Sequence, residues 1–110
     1  MSTSLYIQAM GTASGTSDGG FSLITKLKNT GEQLLGTGTV NFIGPPWGSQ
    51  TTVITFDNLD QVTGKHPFRG SIGEGEFLFT ADNGVEASGR LTSPVVPGIE
   101  VSGVVTWDLS

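Results

Sequence analysis

The sequence predicts an all-β fold: about eight antiparallel strands in a meander closed as a small barrel, with a two-sheet β-sandwich of similar size as the alternative. Three observations carry that expectation. Apolar residues recur at every second position, no window shows the three-and-four spacing of an amphipathic helix, and the segments between runs are short and rich in turn formers. At 110 residues the chain reads as a single all-β domain over 1–110, long enough to bury most of its apolar surface without covalent staples.

The first run puts Leu5, Ile7 and Ala9 on one face, and "GTASGTSDGG" (Gly11 to Gly20) then reads as a flexible hairpin loop. Phe21, Leu23, Thr25 and Leu27 form the second inward face, with Lys26 and Lys28 opposite, as a half-exposed strand requires. Asn29-Thr30-Gly31-Glu32 supplies the next turn, where Gly31 meets the need for a positive φ. Leu34, Gly36, Gly38, Val40 and Phe42 make the third inward face.

"GPPWGSQ" (Gly44 to Gln50) follows. Pro45 and Pro46 have no N–H to donate, so they stop the ladder, and it is expected to resume at Val53 to Phe56. Phe68 to Ile72 is the next run. A three-residue loop, Asp82-Asn83-Gly84 with Gly84 left-handed, sets the hairpin register after it. That register gathers Phe77 and Phe79 with Val85, Ala87, Gly89 and Leu91, whereas a two-residue Asn83-Gly84 turn would set both phenylalanines beside Ser88 and Arg90. Pro94 and Pro97 mark the connection into the last strand. There Ile99, Val101, Gly103, Val105, Trp107 and Leu109 alternate with Glu100, Ser102, Val104, Thr106 and Asp108. The first and last strands each keep an apolar face and are expected to pair, removing the open edges. Gly38 with Phe42, Gly75 with Phe79 and Gly103 with Trp107 share a four-residue spacing, which suggests bends or close approaches covered by an aromatic on the same strand.

Composition narrows the chemistry. Five basic against ten acidic residues give a formal net charge of −5 with no basic cluster, which disfavours nucleic acid and anionic membrane surfaces but not a sugar or a neutral headgroup. With no cysteine there is no disulfide, thiolate metal site or cysteine nucleophile. Met1 to Tyr6 lacks the basic start and apolar run of a signal peptide, and no stretch has the length of a membrane span, so the default expectation is cytoplasmic, with signal-independent export left open.

His66, the one histidine, sits in "TGKHPF" without H-x-H, H-x-x-x-H or D-x-D-x-D spacing, so no metal site and no cofactor is expected. Glu74 and Glu76 alternate on an outward strand face and read as solvated carboxylates. "GTGTV" (Gly36 to Val40) lacks the lysine and helix start of a phosphate-binding loop. No catalytic residues are assigned.

What remains is binding. Trp47, flanked by Pro46 and Gly48, offers a rigid indole, with Gln50, Asn41 and Thr51 as neutral hydrogen-bonding neighbours; the structural alternative is that Trp47 folds over an open barrel end. The inward glycines Gly36, Gly38, Gly89 and Gly103 would either leave an apolar cavity lined by Phe42, Phe56, Phe79 and Trp107 or let strands close it. The candidate ligand-binding set is therefore Trp47, Gln50, Asn41, Trp107 and Phe42.

Two stretches resemble known groups. Gly20 to Asn58, with "KNTGEQLLGTGTVNF" followed by a Pro-Pro pair and an alternating strand, resembles small bacterial all-β proteins of uncharacterised function; the resemblance covers about a third of the chain and implies no activity. "PWGSQTT" (Pro46 to Thr52) is similar to a stretch in aegerolysins, lipid-recognising β-sandwich proteins, but the rest of the chain is shorter, lacks their cysteine and is poorer in tryptophan. The expected function is a non-enzymatic β-barrel that binds a neutral sugar or apolar small molecule. The alternatives are a self-associating or host-interacting β protein and, last, a barrel enzyme using His66 with Lys65 or Arg69.

Overall fold

The computed structural model of the chain describes residues 6–42 and 44–110; Leu5, expected in the first strand, and the start of the chain before it lie outside the described residues. Six strands form one sheet: β1 (Ile7–Gly15), β2 (Gly20–Leu27), β3 (Gln33–Val40), β4 (Trp47–Phe56), β5 (Gly64–Ala81) and β6 (Glu86–Leu109). Every pairing is antiparallel and the spatial order is β3-β2-β1-β4-β6-β5. An additional β3–β6 pairing closes β1, β2, β3, β4 and β6 into a small barrel, with β5 attached along β6.

The expected turns are in place. Gly31 has a φ of 76° and its amide donates to the Leu27 carbonyl, and Gly84 has a φ of 93° in the three-residue loop after Ala81. Phe77 pairs with Gly89 and Phe79 with Ala87, the register deduced from the polar and apolar faces.

The eight expected runs appear as six continuous strands because β5 and β6 each fold double. The first part of β5 pairs with the second part of β6 (Gly64 opposite Trp107 to Ile72 opposite Ile99), and the second part of β5 with the first part of β6 (Glu76 opposite Arg90 to Thr80 opposite Glu86). The two halves of β5 are neighbours: the Asp82 amide donates to the Pro67 carbonyl at 3.0 Å, and the rings of Phe68 and Phe79 are 4.5 Å apart. The inner bend runs through Gly73, Glu74 and Gly75, and β6 bends round it between Leu91 and Ile99. Pro94 and Pro97 lie in this bend, where Glu74 opposite Val95 is the one intervening pair and a missing N–H costs no ladder bond. They bend a strand rather than connect two, and Ile99, expected inward, is partly exposed at the bend.

The edges also close differently from the expectation. The last strand pairs with β3, not with the first, and β1 takes β4 as its second neighbour. A meander of β1, β2 and β3 is thus followed by a fourth strand that returns beside the first, which is a Greek key. The returning connection runs from Asn41 to Pro46, so the Pro-Pro pair lies in the crossover at one barrel end. Two further boundaries shift with it. β4 resumes at Trp47 rather than Val53, and Gly11 to Gly15 continue β1, leaving only Thr16 to Gly19 as loop. The reason is one contact: Gly15 pairs with Trp47, and a Cβ on Gly15 would lie 2.0 Å from the indole nitrogen.

The same device fills the barrel. Gly36 pairs with Trp107, and a Cβ there would lie 2.8 Å from the indole ring; Gly89 pairs with Phe77, and a Cβ would meet the Ser49 hydroxyl first, at 2.4 Å, and the Phe77 ring at 3.0 Å. At Gly15 and Gly36 the missing side chain is replaced by the aromatic of its cross-strand neighbour, the aromatic rescue of strand glycines, and at Gly89 the Phe77 ring shares the space with Ser49. Trp47, Phe77, Phe79, Phe68 and Phe21 then form a continuous series of ring contacts with centroids 4.5 to 5.5 Å apart. At the seam, Gly38 and Gly103 allow direct backbone approach instead: a Cβ on Gly38 would lie 1.9 Å from the Val104 carbonyl oxygen. At the other barrel end a short 3-10 turn, Leu59–Val62, is capped by Asn58, and its Val62 is fully buried. Gln61 and Asn83 exchange two side chain to backbone hydrogen bonds of 2.9 Å, which tie this plug to the β5–β6 loop.

Candidate functional site

Three of the five sequence-derived site residues belong to the core. Trp47 is 4% exposed, and Phe42 and Trp107 are also buried. The indole face expected at the surface is packed on Gly15 and against the rings of Phe77 and Phe79, so Trp47 takes the structural alternative. Phe42 turns in beneath the crossover, where a Cβ on Gly44 would meet its ring at 2.7 Å. The proposed interior cavity is closed. The void lined by Leu23, Phe68, Phe79, Val105 and Trp107 measures about 10 Å³, too small for any ligand larger than a water molecule, because the inward glycines seat aromatic rings.

Gln50 and Asn41 are exposed but lie apart. Pairing of β4 shifts register on both sides between Ser49 and Val53, a bulge that buries Ser49 and Thr52 and turns Gln50 and Thr51 outward. Thr51 is committed to the scaffold, its hydroxyl accepting from the Arg90 amide at 3.0 Å.

Asn41 sits in a different place, a groove on the outer face where β5 doubles back beside β6. Its amide donates to the Ser102 carbonyl at 3.0 Å and its Oδ1 accepts from the Ser102 amide at 2.9 Å, extending the β3–β6 seam by one residue. With Oδ1 engaged, its Nδ2 is the group left to a ligand. Arg69 pairs with Ser102 across the strands, and Thr80, Ser71 and Glu100 complete this part of the groove. The depression continues past Pro67 and Val104 to Asp82. Gly70 in its floor allows the two halves of β5 to meet, since a Cβ there would lie 1.7 Å from the Leu78 carbonyl oxygen.

The groove therefore mixes a guanidinium, a carboxamide N–H, three hydroxyls and the carboxylates of Glu100 and Asp82 with the small apolar surfaces of Pro67 and Val104. Among the described residues Arg69 makes no ion pair, so its donors are free. This donor and acceptor set suits a hydroxylated molecule with an apolar edge.

His66 lies beyond Pro67. Its Nδ1 is 3.1 Å from the Asp82 carboxylate and its Nε2 is 2.9 Å from the Thr63 carbonyl, so both ring nitrogens are already bonded. No ring nitrogen is left facing the groove, and the arrangement ties the start of β5 to the β5–β6 loop. Among the described residues no cluster of His, Asp or Glu has metal-binding geometry. At the crossover end, the Thr16 hydroxyl first, and then the Gly20 amide, hydrogen-bond Asp18 and hold its carboxyl below the ordinary value of 3.8.

Sequence reading singled out Asn41 and weighed Arg69 only as a neighbour of His66. The groove that joins them depends on β5 folding double, and the signal for that is the "GEG" stretch at Gly73 to Gly75 inside an otherwise alternating run. The class defined by this geometry is a small closed Greek-key β-barrel with a filled interior and a polar outer groove. Comparison with protein-family models, curated proteins and solved structures returned no match, so function rests on the chain's own geometry.

Proposed function

We propose that this protein is a non-enzymatic binding barrel whose ligand is neutral and hydroxylated, a sugar residue or short glycan, held in the outer groove. One observation carries the reading: the interior is filled to a void of about 10 Å³ while the outer face presents Asn41, Arg69, Thr80 and Ser102 side by side. Arg69 and Glu100 offset each other in formal charge and the Asp82 carboxylate is already engaged by His66, so the groove favours hydrogen bonding to hydroxyls over capture of an ion. Pro67 and Val104 supply the apolar strip on which the C–H face of a pyranose rests. The filled interior counts against the apolar small molecule that an open barrel would take.

A screen of neutral glycans by calorimetry tests the reading. Binding that is lost in Arg69→Ala with an unchanged melting curve, and weakened in Asn41→Ala, which also gives up its bond to the Ser102 amide, supports it. Absence of binding to any glycan, or binding indifferent to both substitutions, contradicts it.

A further inference from the structure

We infer that this chain forms a two-fold symmetric dimer through the outer face of β2, β1 and β4, on the side of the barrel away from the polar groove. The face carries two cross-strand rows. In one, Lys26, Met10, Val53 and Ser88 lie on β2, β1, β4 and β6 in turn. In the next, Gln8, Thr55 and Glu86 lie on β1, β4 and β6, and Lys28, the residue just after β2, joins them through its amide bond to the Gln8 carbonyl. Met10 is 49% exposed and Ile24, beside it on β2, is 50% exposed.

The occupant is a second copy because the rows are complementary to themselves. A two-fold axis lying in the interface, parallel to the strands and between β1 and β4, exchanges β1 with β4 and β2 with β6. It sets Met10 on Val53 of the other copy, Gln8 on Thr55 and Lys28 on Glu86. The apolar side chains meet in the centre and opposite charges meet at both rims. β2 and β6 curve away from the contact, and the long Lys28 and Glu86 side chains are the ones able to reach across that gap. Neither forms an ion pair within the chain among the described residues. Rim pairs of this kind add little affinity and set the register, while burial of the central apolar pair supplies attraction.

Light scattering on size-exclusion fractions of the full chain tests the inference. The expected result is a mass rising with concentration from one chain towards two. Lys28→Glu and Glu86→Lys should each weaken association at least tenfold, and the double reversal Lys28→Glu/Glu86→Lys should restore it. Met10→Lys should abolish it. All three positions are on the surface, so circular dichroism and melting curves are expected to match wild type and confirm that folding is not at issue. A single-chain mass at every concentration, or a double reversal that recovers nothing, overturns the proposal.

Discussion

Gly15 and Trp47 occupy one space: they pair across β1 and β4, and the indole nitrogen stands 2.0 Å from where a Gly15 Cβ would be. Both partners are fixed by this contact, one as a residue without a side chain and the other as part of the core. Gly15→Ala must push the indole out of its seat, and overpacking of this kind costs about 1–3 kcal/mol. Urea unfolding is expected to report a loss in that range, with a red shift of tryptophan emission as Trp47 gains water. An unchanged midpoint and spectrum would mean that Trp47 is not seated there.

The inner-face and seam glycines should separate from those that face open space. Gly38→Ala drives a Cβ against the Val104 carbonyl, where only backbone can give way, and about 2 kcal/mol or more of stability should be lost. Gly75 has nothing within 4 Å of its Cβ position and a φ outside the left-handed region. Gly75→Ala should be neutral or raise stability by about 0.4–1 kcal/mol through reduced freedom of the unfolded chain. Thermal melts of the two variants check the contrast.

Local signals carried the turns and the hairpin register, because Gly31, Gly84 and the alternation around Phe77 and Phe79 act over a few residues. Pairing between distant strands was not legible. The sequence pattern linked glycines to aromatics four residues along one strand, as with Gly103 and Trp107, whereas the rings cover glycines across strands, as with Gly36 and Trp107. Gly11 to Gly15 looked like loop because the apolar volume that makes it a strand belongs to Trp47. The barrel was legible from alternation and short connections. The choice of β3 rather than β1 as partner for β6 follows from the crossover, which no local pattern encodes. Of the candidate site, Asn41 was named only as a hydrogen-bonding neighbour of Trp47, and its place beside Ser102 was not legible. Nor were its neighbours in the groove, since Arg69 and Thr80 meet only when β5 folds double.

Glu74 marks that fold with a φ of 48°, the left-handed region, between two glycines. Side chains pay about 1–2 kcal/mol there unless, like Asn, they bond locally. Stability is expected to rank Glu74→Asn at or above wild type and Glu74→Val below it by about 1–2 kcal/mol, since β-branched residues are the least tolerant of positive φ. Differential scanning calorimetry of both variants measures the order, and a Val variant as stable as Asn would contradict this backbone geometry.

Asp18 gives a pH signature. Its folded carboxyl is held below the ordinary value of 3.8, first by the Thr16 hydroxyl and then by the Gly20 amide. The ionised form is thus favoured in the folded state. The associated stability is present above the unfolded value and is lost as pH falls through the lower folded value. Carboxyl carbon shifts followed by NMR should show Asp18 titrating below 3.8, and Thr16→Val should move it back towards that value.

The most direct test of the binding account is an amide and indole NMR titration with the neutral glycans of the screen. Shifts confined to Asn41, Arg69, Ser71, Thr80 and Ser102, with both tryptophan indole signals unmoved, are the predicted result. Shifts centred on the indoles of Trp47 and Trp107, with the groove amides silent, would place the ligand inside the barrel and contradict it.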